Sequence, residues 1–205
     1  MLLDRDPRPS AYYVGIDRDT IVGHKKFTDS SIKHEFRAVD LDTAWDIGKF
    51  DLVTCFEVIE HLIEDARLFR RLCTQVAPGG RLLLSTPSAP FVRRMDTFMP
   101  GFASTTPVQN GDHVRIGYDV AELQAMAADN DMIIESMDWL SRFAPEELKS
   151  VAFMTGFVPR IRQNLRYRRT AAADAFVIGG DPAVNAEQYW SVGILVRHKD
   201  APPLA

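Results

Sequence analysis

The chain has 205 residues, a formal net charge of −4, and 46% hydrophobic against 25% charged residues. That balance excludes a disordered chain, a collagen and a coiled coil, and the length supports one domain with a sizeable core. The acidic sum argues against a general electrostatic grip on nucleic acid or an anionic membrane, so nucleic acid is not an expected partner. Two cysteines, Cys55 and Cys73, are too few for a disulfide framework. They point to a reducing, cytoplasmic setting. No apolar run approaches the roughly 18 residues of a membrane span, and the first residues carry no signal-peptide core.

Residues 11–17 form a short apolar run ending in Asp17, and 35–39 alternate weakly before Asp40; both read as strands. Residues 50–56, Phe-Asp-Leu-Val-Thr-Cys-Phe, read as a third strand. From Glu57 to Val76 the spacing of Ile59, Leu62, Ile63, Ala66, Phe69 and Leu72 predicts a helix, ended by Pro78-Gly79-Gly80. A fourth strand follows over 81–86, stopped by Pro87. Residues 87–117, rich in proline and glycine, read as an irregular lobe. A helix is expected over 119–130, with Asp119 and Glu122 in a capping-box pattern.

A fifth strand is expected over 131–139, a mostly helical insertion over 141–188 (helical from Pro145 to about Ala175), and a last strand over 189–197. The tail from Ala201 to Ala205 is expected to be loose. Strands alternating with helices imply one domain over 1–205 of the α/β class, a doubly wound and mostly parallel sheet, with the last strand antiparallel at the edge. In such sheets ligands bind at the carboxyl ends of the strands. Those ends are Asp17, Asp40, Phe56-Glu57 and Thr86-Pro87. An acid so placed is suited to ribose hydroxyls; the plainer role for Asp17 is a cap or a solvated turn.

The run Tyr13-Val14-Gly15-Ile16-Asp17, then Asp40-Leu41, then FDLVTCFEVIEHL over 50–62 and PGGRLLLSTP over 78–87 resembles class I S-adenosylmethionine-dependent methyltransferases. The segment 50–87 is the specific part. His113-Val114-Arg115 ahead of the helix at 119 resembles the corresponding stretch of small-molecule members, such as those of ubiquinone biosynthesis. The resemblance covers roughly residues 11–140. It implies a Rossmann-like fold, S-adenosylmethionine as cofactor, and a small-molecule acceptor, with oxygen as the expected methylated atom.

The resemblance also implies roles. Asp17 would bind the ribose hydroxyls, and Asp40 with Leu41 would flank the adenine. Phe56 and Glu57 would line the methionine half, and the helical insertion with the irregular lobe would form a lid over the acceptor. The family's Gly-rich loop, E/DxGxGxG, and its first strand have no counterpart among the sixteen residues before Asp17, where Gly15 is the sole glycine. The sheet is therefore expected to be incomplete at its N-terminal side. A start placed too late, a degenerate remnant, or a partner chain or homodimer covering the strand edge each account for that. The last two leave a second reading beside the enzyme: a non-catalytic methyltransferase-like interaction module.

A hydroxyl acceptor must lose a proton, and that calls for a base. His61 and His113 are the expected catalytic imidazoles, with Glu60 a lesser candidate; packing or capping are their plainer roles. Glu57 and His61 would share a helix face. No third donor at a recognisable spacing follows, and no CxxC or HExxH occurs, so no metal is expected. Five arginines at 160, 162, 166, 168 and 169 read first as a solvated helix face. Their sharper reading is a patch for an anionic acceptor or RNA.

Overall fold

The computed structural model describes residues 11–18, 33–109, 111–142, 176–178 and 186–204. The chain divides after Gly48 into two compact units. In the first unit β1 (Tyr12–Asp17) and β2 (Lys33–Ala38) form a parallel ladder that sets Asp17 opposite Ala38. A Cβ on Gly15 would come within 2.5 Å of the Phe36 ring, so this position is closed to any side chain unless that ring moves. Beyond the ladder Val39 N–H donates to the Asp17 carbonyl at 2.9 Å, and Asp40 closes an Asx turn by accepting Asp42 N–H at 3.0 Å.

The second unit contains β3 (Phe50–Phe56), β4 (Val76–Pro87), β5 (Met132–Arg142), β6 (Phe176–Ile178) and β7 (Tyr189–His198) in the spatial order β3-β4-β7-β5-β6. β3 and β4 are parallel, while β7 is antiparallel to both β4 and β5. β3, β4 and β5 thus share one direction. The last strand is antiparallel as expected, but it lies inside the sheet and not at its edge. Its run Ser191, Val192, Gly193 and Ile194 is buried throughout, which suits a strand covered on both faces. The short β6, antiparallel to β5, had no expected counterpart.

Three helices are described: α1 (Asp65–Gln75), α2 (Ala89–Phe98) and α3 (Val120–Ala128). α1 starts eight residues later than the periodicity predicts, at Asp65 and not Glu57. Glu57 has a φ of 52°, which no helix continues through, and Ile59–His61 make a 3-10 turn. A 3-10 turn also repeats at every third residue, so Ile59 and Leu62 mimic a helical stripe without belonging to one.

The region expected to be irregular, 87–117, holds α2. Pro90 lies in its first turn, where the missing N–H is no loss. Phe91, Val92 and Met95 are buried there against Phe102, Ile116 and Trp190. α3 carries the expected capping box, with Asp119 N–H donating to Glu122 at 2.8 Å. The helix expected over 145–175 and the arginine segment lie outside the described residues.

The C-terminal tail is clipped down, contrary to its loose reading. Arg81, 7% exposed, forks onto Glu135 at 2.5 and 3.3 Å and donates to the Pro202 carbonyl at 2.7 Å. Leu204 N–H reaches the same carboxylate at 2.6 Å, and Arg197 donates to the Ala201 carbonyl at 2.6 Å. Proline and alanine in the tail carry no sign of this, because the tail contributes only backbone groups.

Replacing Arg81 with alanine leaves the Glu135 carboxylate with Arg197 as its remaining cationic partner, at 3.6 Å. The Arg81→Ala protein should lose about 3 kcal/mol of unfolding free energy in urea titration. Its tail should also become open to carboxypeptidase; a tail as resistant as in the wild type would contradict the clip.

Candidate functional site

Glu57 follows the last residue of β3, and its backbone decides where the next side chains point. Its N–H donates to the Ser85 carbonyl at 2.9 Å, extending the β3–β4 ladder by one bond into the turn. Its carboxylate accepts from the Ser85 hydroxyl at 2.7 Å and from the Ser191 hydroxyl at 3.1 Å. One side chain thereby ties β3 to both β4 and β7. Phe56, just before it, is 53% exposed and projects from the strand.

The 3-10 turn then presents Glu60 and His61 to the segment between α2 and α3. The Glu60 carbonyl accepts two N–H groups of that segment, Val114 at 2.9 Å and Arg115 at 3.1 Å. His61 Nδ1 lies 3.1 Å from the Asp112 carbonyl. Ile63 N–H reaches the Gln109 side chain at 3.1 Å. Further along, Gly117 passes so close to β4 that a Cβ would sit 2.2 Å from the Pro87 carbonyl oxygen, and its φ is +113°. Tyr118 is 1% exposed and donates its hydroxyl to Asp65 at 2.7 Å, while Arg115 pairs with the same carboxylate at 2.8 Å. The segment is thus stapled at both ends, and His113 is brought to His61 with ring centroids 4.6 Å apart, edge to face.

Glu60, His61 and His113 each present one oxygen or nitrogen within 4.8 Å of the other two. Glu60 is fully buried; its Oε2 accepts from the Thr86 hydroxyl at 3.2 Å, and its Oε1 takes no hydrogen bond. That Oε1 is 3.9 Å from His61 Nε2. Burial pushes the Glu60 carboxyl up to about 7, with Glu57 adding to the rise. Burial and then the neighbouring His61 hold the His113 imidazole below its usual range. A neutral imidazole beside a carboxyl that titrates near neutrality is a set able to take up, hold and return a proton.

The two expected imidazoles are therefore brought together, joined by Glu60, the lesser candidate. Glu57 and His61 share no helix face, because no helix forms there. Asp17, exposed at the end of β1, and Asp40 with Leu41 lie in the first unit, while Phe56, Glu57, His61 and His113 lie in the second. Sequence reasoning missed Ser85, Thr86 and Ser191 as holders of the two acids. Ser85 and Thr86 had a signal, since they end a strand; Ser191 had none.

A family model described as a methyltransferase domain matches residues 5–159. A ubiquinone biosynthesis O-methyltransferase of Coxiella burnetii is 28% identical over 68 residues, 33% of this chain and 29% of that protein. The matched part is thus under a third of that relative's length. Among solved structures, a putative methyltransferase from Bacillus halodurans is similar with a TM-score of 0.52 at 14% identity, over 96% of this chain and 94% of that one. An O-methyltransferase from a trans-AT PKS multienzyme of Brevibacillus brevis, in complex with S-adenosyl-L-homocysteine, has a TM-score of 0.54 at 16% identity, over 94% and 59% of the two chains. These likenesses show a Rossmann-like α/β fold.

The raised Glu60 carboxyl makes stability depend on pH with a definite sign. Between its ordinary 4.5 and about 7 the folded protein keeps a proton that the unfolded chain has released. Stability from this group is thus fully present at the acid end and falls as pH rises through the window, by on the order of 3 kcal/mol. In the Glu60→Gln protein that fall should vanish. Urea midpoints of the two proteins should separate above pH 7 in favour of the variant, and parallel pH profiles would refute the assignment.

Proposed function

The chain belongs to the methyltransferase-domain family, and we propose that it transfers the methyl group of S-adenosylmethionine to an oxygen of a small-molecule acceptor, with His113 as the base. The observation that carries the oxygen acceptor is the state of His113. It is an imidazole whose protonation is disfavoured by burial and by the second imidazole beside it.

Each unit by itself brings donors whose chemistry suits one part of the cofactor. In the first unit Asp17 ends β1 and Asp40 lies two residues beyond β2; they bring carboxylate acceptors suited to ribose hydroxyls and an adenine amino group, and Leu41 would offer an apolar contact to the ring. In the second unit Phe56 offers an exposed apolar ring, and Glu57 a carboxylate already fixed by two hydroxyls, suited to the ammonium of a methionine moiety. When bound, S-adenosylmethionine supplies an electrophilic methyl on a good leaving group. The chain's own residues position the acceptor, exclude water and take its proton. His113 accepts that proton from the hydroxyl, and Glu57 stays put because Ser85 and Ser191 hold both its oxygens.

Among the described residues no helix is long and apolar enough to cross a membrane. Cys55 and Cys73 are both buried and unpaired by a disulfide, which supports the cytoplasmic reading.

Calorimetry with S-adenosylmethionine should give a micromolar dissociation constant, about −8 kcal/mol, weakened at least about tenfold in Asp17→Ala. With phenols and catechols as acceptors, His113→Ala should lower kcat by roughly 10² to 10⁴ while cofactor binding holds. A chain that binds no cofactor would favour the interaction-module reading. A His113→Ala protein with wild-type kcat would remove the base.

A further inference from the structure

Glu60 is the member of the cluster that this function does not use. It is fully buried, yet one of its oxygens has no hydrogen-bond partner. Such a carboxylate normally costs too much to keep unless something sits opposite it. What sits opposite is His61 Nε2, at 3.9 Å. We propose that Glu60 and His61 hold a single proton between Oε1 and Nε2, and that this pair is a positioning element for His113. The proposal rests on the reading of His113 as the base.

Hydrogen-bond chemistry leaves one arrangement. The Asp112 carbonyl accepts only, so the His61 Nδ1 that faces it at 3.1 Å carries a hydrogen. In the neutral ring Nε2 is then a bare lone pair. The Thr86 hydroxyl donates to Glu60 Oε2, which leaves Oε1 as the oxygen without a donor. A carboxylate lone pair and an imidazole lone pair would face each other, the carboxylate fully buried and the ring 29% exposed. One proton between them removes the repulsion, either as a carboxylic acid donating to Nε2 or as an imidazolium donating to Oε1. A side-chain shift of about 1 Å brings 3.9 Å into hydrogen-bond range.

The surrounding charges leave the shared proton as the adjustable one. The Cys55 thiol is pushed up to about 12 and the Tyr118 phenol higher still, so both stay neutral. Asp65 is paired with Arg115, and Glu57 is held by two hydroxyls. Asp112 follows on the His113 side and favours the His113 cation.

When His113 takes the acceptor's proton, one O–H bond breaks and one N–H bond forms. Two adjacent imidazolium rings at 4.6 Å would repel, so the shared proton rests on Glu60 while His113 is charged. No proton enters or leaves the pair in that step. The Glu60 carbonyl meanwhile holds the N–H groups of Val114 and Arg115, so the residue that stores the proton also anchors the segment carrying His113.

The test is spectroscopic and uses the full chain with no acceptor or cofactor. Infrared difference spectra, wild type minus Glu60→Gln, should show a protonated-carboxyl C=O stretch that shifts in D2O and persists to about neutral pH. Glutamine has the shape of the protonated acid, so the variant should keep the fold. In His61→Phe the midpoint of that band should move by at least about tenfold in proton affinity. Nitrogen-15 spectra should show His61 with hydrogen on Nδ1.

A Glu60 ionised across the neutral range beside a singly protonated His61 overturns the proposal. So does a band indifferent to His61→Phe, or one that appears only after chelator treatment, which would put a divalent cation where the proton is assigned. A confirmed shared proton in a protein whose kcat survives His113→Ala would leave the pair standing and remove the base assignment alone.

Discussion

Glu57 leaves β3 with a φ of 52°, a conformation that costs a non-glycine residue roughly 1–3 kcal/mol, and its surroundings hold it there. Its N–H is fixed by the Ser85 carbonyl and its two carboxylate oxygens by Ser85 and Ser191. Three hydrogen bonds thus over-determine one strained residue. The reversal it introduces turns the following 3-10 turn so that the Glu60 carbonyl meets the incoming segment at 114–115. Had the helix started at Glu57, as the periodicity suggests, the Glu60 carbonyl would have been committed to its own helix, and the two N–H groups of that segment would have lost their acceptor.

The opposite end of the same segment depends on an equally local fact. At Gly117 the chain runs against Pro87 at a distance that no side chain tolerates, and from there Tyr118 N–H donates to the Pro87 carbonyl at 3.0 Å. Ala89 N–H then donates to the Tyr118 carbonyl at 3.1 Å. Proline ends β4 without donating, yet its carbonyl remains an acceptor, and the segment uses it. His113 therefore sits on a stretch of irregular backbone that is held by hydrogen bonds on both sides. A loop seldom reaches such rigidity unaided.

Much of this was readable in the sequence, and what was readable follows a pattern. β3 was legible to the residue because Phe50–Phe56 is a bounded β-rich run, and the box at Asp119 and Glu122 because capping is local chemistry. The two histidines were legible as candidates because each lies in a stretch that resembles the family. Four things were not. The start of α1 was hidden because the 3-10 turn imitates helical spacing. α2 was hidden under two prolines, one of which in fact sits comfortably in the helix's first turn. The grip on the tail by Arg81, Arg197 and Glu135 was hidden because two of its three partners in the tail are carbonyls and the third an N–H, groups that every residue type there except proline can supply in full. The role of Ser191 was invisible for a related reason, since it depends on β7 entering the middle of the sheet from more than a hundred positions away.

Glu60 is the residue for which the local and the tertiary arguments disagree most. A leucine or a glutamine at a fully buried position would spare the fold a carboxyl that it cannot solvate and supports with one hydroxyl and the residue's own N–H. Proteins tolerate such a conflict mainly where the group does something that a quieter residue does not. Here the conflict lies beside the two imidazoles, within 4.8 Å of both, and away from the apolar cluster of Phe91, Val92 and Met95 that holds α2. A carboxyl kept for packing would have found its partners among the hydroxyls that secure Glu57. Instead it turns its unsatisfied oxygen toward a ring whose other nitrogen is already occupied, and the two unmet needs answer each other.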